Sequence, residues 1–279
     1  AQNEDGQTES YGVTEFYRMR YTENGVLLLD FTRDAQQVFD GSLPVVDNDG
    51  LAIGVASKDI QYMGSPTGEI VAFVQQGDLW TYSRSANRFT RVFSFRQTEG
   101  GDGRDTNNAH DMKIVRMDEA GNMDFVVYGY FNRGDHEGMV GIGVYRYNND
   151  QNLVDEQVFI PSTKSHEFLK MDLDSLSYVN EQDQLFLFMG GNLYQVDINE
   201  RDYEIIQSGI KAGQFVSSAS NASGAWMEGA DAYHCTEIGI INFDTGKTRK
   251  IQSTEGVCIK ALGFLNEDLV YGFARNENV

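Results

Sequence analysis

The feature that most constrains this chain is a repeat. Gly77-Asp78-Leu79-Trp80 is matched by Gly191-Asn192-Leu193-Tyr194, and the segments continue in step without gaps, so that Phe89 falls on Tyr203 and Val92 on Ile206. Gly143-Val144-Tyr145-Arg146-Tyr147, followed by the strand-like run Leu153–Ile160, makes a third copy. Ile240-Ile241-Asn242-Phe243, followed by Thr248–Gln252, makes a fourth. With Trp80, Tyr145, Tyr194 and Ile241 in register, the offsets are 65, 49 and 47 residues. A period in the forties with about four strands per unit is the signature of propeller blades. The first offset is lengthened by a Gly/Asp-rich insertion, Thr98–His110.

The stretch Glu69–Arg96 shows what one unit contains. It reads as strands Ile70–Gln75, Leu79–Ser83 and Phe89–Phe95, with turns at Gln76-Gly77-Asp78 and Arg84–Asn87. The first strand is apolar on both faces, as a strand covered on both sides must be. Further runs precede each copy: Asp59–Met63; His110–Arg116 and Met123–Phe131; Leu176–Val179 and Gln184–Met189; Gln214–Ser218 and Ala225–Glu228. Cys258–Leu265 and Asp268–Ala274 begin one more unit.

At the start, Val13–Phe31 reads as a hairpin signalled by Asn24-Gly25, a pair that tolerates positive φ. The expectation is an all-β chain: Ala1–Ser10 as a polar linker or frayed end, then one β-propeller domain over residues 11–279, of about five (five to seven) four-stranded blades. Either the Val13–Phe31 hairpin completes the last blade and closes the ring, or the ring continues in a longer protein. Fold analogy favours closure. Outside the repeat, Asp34–Phe39 reads as a helical turn and Leu43–Asp49 as a connection. Asp47-Asn48-Asp49-Gly50 resembles half of a calcium loop but lacks a distal Glu. Ser165–Leu176 reads as a helix capped by Ser165, with Phe168, Leu169, Leu173 and Leu176 on one side.

Charge limits the partners. With 42 acidic residues against 22 basic ones the net charge is −20, and no Lys/Arg cluster interrupts the acidity. Phosphate backbones require a basic footprint, so nucleic acid is not an expected partner. Anionic membrane surfaces are disfavoured for the same reason. No apolar run reaches the roughly 18 to 20 residues that span a bilayer, so this segment is not expected to insert directly.

The GDLW, GNLY and DTGK elements, with their paired strands, resemble the irregular propellers of the TolB-like and YWTD-like kind. The stretch from Val71–Val74 through Val127–Gly138 (VYGYFNRGDHEG) is similar to uncharacterised extracytoplasmic β-propeller proteins of Gram-positive anaerobes. The resemblance spans most of Gly50–Arg275. It implies a propeller forming one part of a larger, membrane-anchored, extracytoplasmic protein, and it carries no active site.

In a propeller, the d-to-a and b-to-c connections share the face that usually binds ligands. The strand reading puts His110 and His166 in d-to-a connections and His136 and His234 in b-to-c connections. Asp111, Arg133, Asp135 and Glu137 lie near them, and Glu167 and Asp231 add further carboxylates. The insertion loop offers Asp102, Asp105, Asn107, Asn108 and Asp111 as oxygen ligands suited to calcium, although their spacing matches no defined calcium motif. A solvated loop is the simpler account, and no cofactor is expected otherwise. Trp80, Tyr145, Tyr147 and Tyr194 resemble a sugar-stacking set, yet their equivalent positions suit core packing. Cys235 and Cys258 are expected on one ring face in neighbouring blades, where a disulfide is feasible. Neither G-x-S-x-G nor H-E-x-x-H occurs.

These features point to a non-catalytic extracytoplasmic binding or scaffolding module for a protein or glycan partner. The alternative is a propeller hydrolase or lyase acting on polysaccharide, which would need convergent acid and base groups near the axis.

Overall fold

A computed structural model of the chain describes residues 8–47, 50–54, 60–97, 101–107 and 109–275. Most of the expected linker, together with Asn48 and Asp49 of the DNDG turn, Asp59, Gly100 and Asn108, lies outside the described residues. The strands are β1 (Tyr11–Thr22), β2 (Gly25–Gln37), β3 (Tyr62–Gly64), β4 (Ile70–Gln75), β5 (Asp78–Ser83) and β6 (Arg88–Phe93). A 3₁₀ turn, Gly103–Thr106, leads to β7 (His110–Met117), β8 (Met123–Tyr130), β9 (Val140–Asn148) and β10 (Leu153–Pro161). One helix, α1 (His166–Ser175), precedes β11 (Ser177–Val179), β12 (Gln184–Met189), β13 (Asn192–Asp197) and β14 (Asp202–Gln207). Then come β15 (Phe215–Ser217), β16 (Ser223–Gly229), β17 (Cys235–Asn242), β18 (Thr248–Gln252), β19 (Val257–Leu265) and β20 (Asp268–Arg275).

The fold is all-β, and its sheets follow the repeat. There are four-stranded sheets of β3–β6, β7–β10, β11–β14 and β15–β18, each with its strands side by side in chain order, and two-stranded sheets of β1–β2 and β19–β20. Trp80, Tyr145, Tyr194 and Ile241 all fall on the third strand of their sheets. The correspondence extends to irregularities. The β5–β6 ladder shifts between Leu79 and Trp80, and the β13–β14 ladder shifts at the equivalent Leu193–Tyr194 step.

The tight turns before these strands correspond as well. Gln76-Gly77 and Gly190-Gly191 each place two residues at positive φ, the primed-turn geometry that matches strand twist. A Cβ on Gly77 would lie 2.8 Å from Nε2 of His110, and one on Gly191 would lie 2.5 Å from the carbonyl oxygen of Ile210. Both positions therefore require glycine twice over, for φ and for space.

The chain divides into two compact units, Ala1–Met123 with Tyr147–Val154, and Asp124–Arg146 with Asp155–Val279. In the first, Phe39 sits edge-on to Phe73, Trp80 and Phe89 at 5.1–5.2 Å between ring centres. Aromatic pairs of this geometry add to simple burial. In the second, consecutive sheets pack face to face. Leu176, Phe186 and Leu193 meet Trp226, Ile241 and Phe243 in one cluster. Ala225, Met227 and Ile238 meet Ile259 and Ala261 in the next. Polar links reinforce the first of these stacks: the Asn180 amide donates to the Phe243 carbonyl at 3.0 Å, and the Tyr178 hydroxyl to Asp244 at 2.6 Å.

Several local expectations are corrected. Asp34–Gln37 continues β2, paired with Tyr11–Thr14, rather than forming a helical turn. Asp, Ala and Gln are adequate helix formers, but a twelve-rung ladder overrides a four-residue preference. Thr22 pairs with Gly25, so Glu23 and Asn24 form the hairpin loop. In α1, Leu169 and Leu173 are buried, and so is Leu176 just beyond its end, whereas Phe168 is exposed. Ser165 holds the N-cap position without a side-chain cap hydrogen bond. Finally, β1–β2 and β19–β20 stay separate two-stranded sheets, so the expected closing blade is not formed among the described residues, which hold four four-stranded sheets. Strands of 12 and 13 residues in the hairpin exceed the 9 and 8 of β19 and β20, a poor match for one blade. Among the described residues, no helix is long and apolar enough to cross a membrane.

Candidate functional site

The first unit holds a cleft of about 380 Å³, within the size range of small-ligand sites. One wall is the base of the β1–β2 hairpin. Side chains alternate across a strand: Gly12 and Thr14 stand opposite Gln36 and Asp34 on one face of this base, Tyr11 and Val13 belong to the other, and all six line the cleft together with Val38. The opposite wall is the β4–β5 turn and the connection after β6, which supply Gln76, Arg96, Asp105 and Asn107. The walls touch where the Gln76 side-chain amide donates to Gln36 Oε1 at 3.5 Å.

Arg96 is anchored by a buried acid. Its guanidinium lies 3.3 Å from Asp78, whose side chain is only 4% exposed, and it also donates to the Gln76 carbonyl. The Ser94 hydroxyl donates to the other Asp78 oxygen at 2.6 Å, and the Arg96 amide donates to Ser94 Oγ at 2.9 Å. Burial pushes the Asp78 carboxyl above the usual carboxylate range, while Arg96 and the Ser94 hydrogen bond oppose that rise. Asp105, which accepts from the Gln97 amide at 3.2 Å, adds negative charge nearby. His110, the first residue of β7, backs the turn: its Nε2 lies 3.3 Å from the Gly77 carbonyl oxygen and its ring stands edge-on to Phe95 at 4.8 Å. The cleft thus presents amides, carboxylates and a fixed guanidinium without a lysine.

The other histidines sit in the connections expected of them but do not converge. His136, between β8 and β9, meets Glu156 at 2.7 Å, and the Tyr145 hydroxyl donates to the other oxygen of Glu156 at 2.6 Å. The imidazole of His136 stacks on Phe159 at 3.8 Å. Burial, and then the bond to Glu156, pushes the Tyr145 hydroxyl pKa up. Arg133, Asp135 and Glu137 occupy the same connection, with Asp135 and Glu137 exposed. His166 opens α1 beside Glu167 at 3.4 Å. His234, just before β17, binds Asp231 at 2.9 Å. Two backbone amides and His234 hold the Asp231 carboxyl at about 2.

The oxygen-rich loop is occupied by its own hydrogen bonds. Asp102 caps the 3₁₀ turn and pairs with Arg104 at 2.7 Å. Asn107 accepts from the Ala109 amide at 2.9 Å, and Asp111 from the Met112 amide at 2.8 Å. Asp105 and Asn107 line the cleft. Among the described residues, no three His, Cys, Asp or Glu side chains are grouped to hold a metal. Tyr145, Tyr147 and Tyr194 are buried core residues rather than a sugar platform. Cys235 and Cys258 are both buried and outside any disulfide. Burial chiefly pushes the Cys235 thiol up, with Cys258 near enough to contribute.

Sequence reasoning missed Asp34, Gln36, Gln76, Asp78 and Arg96. The available signal was Asp78, an acid opening a strand that buries Leu79, Thr81 and Tyr82. A carboxylate there demands a cationic partner, and Arg88, Arg91 and Arg96 are the arginines of the strand that follows and its extension.

Comparisons with known proteins show remote likeness only. No protein-family model and no curated protein matches the chain. Among solved structures, TolB from Acinetobacter baumannii is 13% identical with a TM-score of 0.38, over 93% of this chain and 54% of that one. The extracellular domain of the putative one component system BT4673 from B. thetaiotaomicron is 11% identical (TM-score 0.36), over 93% of this chain and 31% of that one. Porphyromonas gingivalis dipeptidyl peptidase 4 is 10% identical (TM-score 0.33), over 98% of this chain and 51% of that one. The chain therefore spans about half, or less, of the length of each of these structures.

Proposed function

We propose that this chain is an extracytoplasmic β-propeller module, of about five blades and part of a larger membrane-anchored protein, that binds a hydroxyl-rich glycan without turning it over. In the second unit, the stacking of two successive four-stranded sheets and then of the β19–β20 pair supports the propeller reading. The observation that carries the binding reading is the cleft of Asp34, Gln36, Gln76, Arg96, Asp105 and Asn107. Carboxylates accept from sugar hydroxyls, amides both donate and accept, and Arg96 donates from a fixed position. A bidentate anion site is a weaker match, because Asp34 and Asp105 share the cleft with a single guanidinium already engaged by Asp78.

The test is calorimetric titration of the full chain with neutral bacterial and plant oligosaccharides, with product analysis after long incubation. Binding of one class without new reducing ends is expected. Replacing the solvent-facing wall residues, Asp34→Ala with Gln36→Ala, should weaken it tenfold or more, about 1.4 kcal/mol. Turnover of any glycan, or affinity indifferent to these substitutions, overturns the proposal.

A further inference from the structure

Beyond the base that borders the cleft, one face of the β1–β2 hairpin has no cover among the described residues. Alternation along the ladder puts Tyr17, Met19 and Tyr21 of β1 on that face with Phe31, Leu28 and Val26 of β2 directly opposite them. All six are between 41% and 83% exposed. The other face carries Phe16, Arg18 and Arg20 of β1 opposite Thr32, Asp30 and Leu27 of β2, so its two exposed apolar side chains, Phe16 and Leu27, are set apart by charged and polar neighbours. An isolated two-stranded ribbon is marginal in water, and a contiguous exposed apolar patch of several hundred Å² marks an interaction surface.

We propose that this face is a homodimer interface, in which two copies of the chain stack their β1–β2 ribbons as a two-layer β-sandwich. Two arguments choose a second copy. The first is area: at these exposures the six side chains present roughly 700 Å² per copy, close to the ~800 Å² per partner of a standard stable interface. A two-fold axis makes one apolar face its own complement, so no second surface is required. The second is charge. The hairpin carries Glu15, Glu23, Asp30 and Asp34 against Arg18, Arg20 and Arg33, nearly balanced within a chain of net charge −20. Strongly acidic copies repel elsewhere and can approach one another here, whereas a basic partner would be drawn to the rest of the molecule. Within the face, Glu15 and Arg33 already pair with each other, so no lone charge would be buried.

Sedimentation of the full chain from 1 to 100 μM tests the proposal. A monomer–dimer equilibrium is expected, tightening from 50 to 500 mM NaCl as screening removes the repulsion between acidic bodies. Tyr17→Lys with Leu28→Lys should weaken dimerisation at least tenfold, while Thr32→Lys on the opposite face should leave it unchanged; circular dichroism would confirm that each variant is folded. Should the double variant misfold, hydrogen exchange on the unmodified chain provides the readout, with protection of residues 11–37 rising with concentration. A monomer at every concentration, a dimer indifferent to the face variants, or hairpin protection that appears only on added lipid vesicles would each overturn it.

Discussion

Three glycines in positive-φ turns separate backbone strain from steric exclusion. Gly134, Gly77 and Gly191 have φ of 84°, 74° and 81°, so an alanine meets a similar conformational cost at each. That cost is about 1 kcal/mol for an L side chain in the left-handed region. What the new methyl meets differs. At Gly134 nothing lies within 4 Å; at Gly77 the methyl meets the imidazole of His110 at 2.8 Å; at Gly191 it meets the backbone oxygen of Ile210 at 2.5 Å. A side chain can rotate away at part of the overpacking cost of 1–3 kcal/mol, which places Gly77→Ala at about 2–3 kcal/mol in total. The Ile210 carbonyl belongs to a segment tied to Gly191 by a 2.9 Å backbone hydrogen bond. Relief there must move the chain or break that bond, so Gly191→Ala should cost about 3–4 kcal/mol.

Urea unfolding followed by fluorescence and circular dichroism measures the series, with midpoints compared at unchanged slope. The chain has two tryptophans: Trp80 lies in the unit that contains Gly77, and Trp226 in the unit that contains Gly134 and Gly191. The order Gly134→Ala, Gly77→Ala, Gly191→Ala should be one of increasing damage. Combining Gly77→Ala with His110→Ala should show a favourable coupling of about 1–2 kcal/mol, because removing the ring removes the clash. Equal losses at all three glycines, or no coupling with His110, would refute the steric reasoning and leave φ alone as the cause.

Two further outcomes follow from the electrostatics. Asp231 is held at about 2 by the Tyr233 and His234 amides and the His234 side chain, below its ordinary 3.8. A depressed carboxylate contributes stability above its unfolded pKa and loses it as pH falls towards the folded value. Asp231→Asn should therefore flatten the melting-temperature profile between about pH 4 and 2 and leave its shape above pH 5 unchanged; an unaltered acid limb would count against the assignment. Millimolar calcium or zinc should move the melting temperature by less than about 1 °C relative to EDTA, since Asp102, Asp105, Asn107 and Asp111 already accept protein donors. A rise of about 5 °C or more would restore the loop as a metal site.

What was legible in the sequence depended on whether the signal was local. The third strands of all four complete sheets could be read because Trp80, Tyr145, Tyr194 and Ile241 recur beside turn residues whose backbone demands are local. The cleft could not be read in this way. Asp34, Gln76 and Arg96 are separated by 42 and 20 residues, and what unites them is the placement of the hairpin base against the β4–β5 turn, a tertiary fact without periodicity. The hairpin is the instructive intermediate case. Its alternation, Tyr17-Arg18-Met19-Arg20-Tyr21, shows that one face is apolar, but alternation carries no information about what covers that face. Blade closure is what fold analogy leads one to expect, because propellers commonly seal their ring with strands from both termini. The hairpin strands, of 12 and 13 residues, exceed the 9 and 8 of β19 and β20, and the near-neutral charge of the hairpin sets it apart from the acidic remainder. Length and local charge, which the sequence displays openly, therefore argue for a surface that meets another copy of the chain rather than one that completes its own ring.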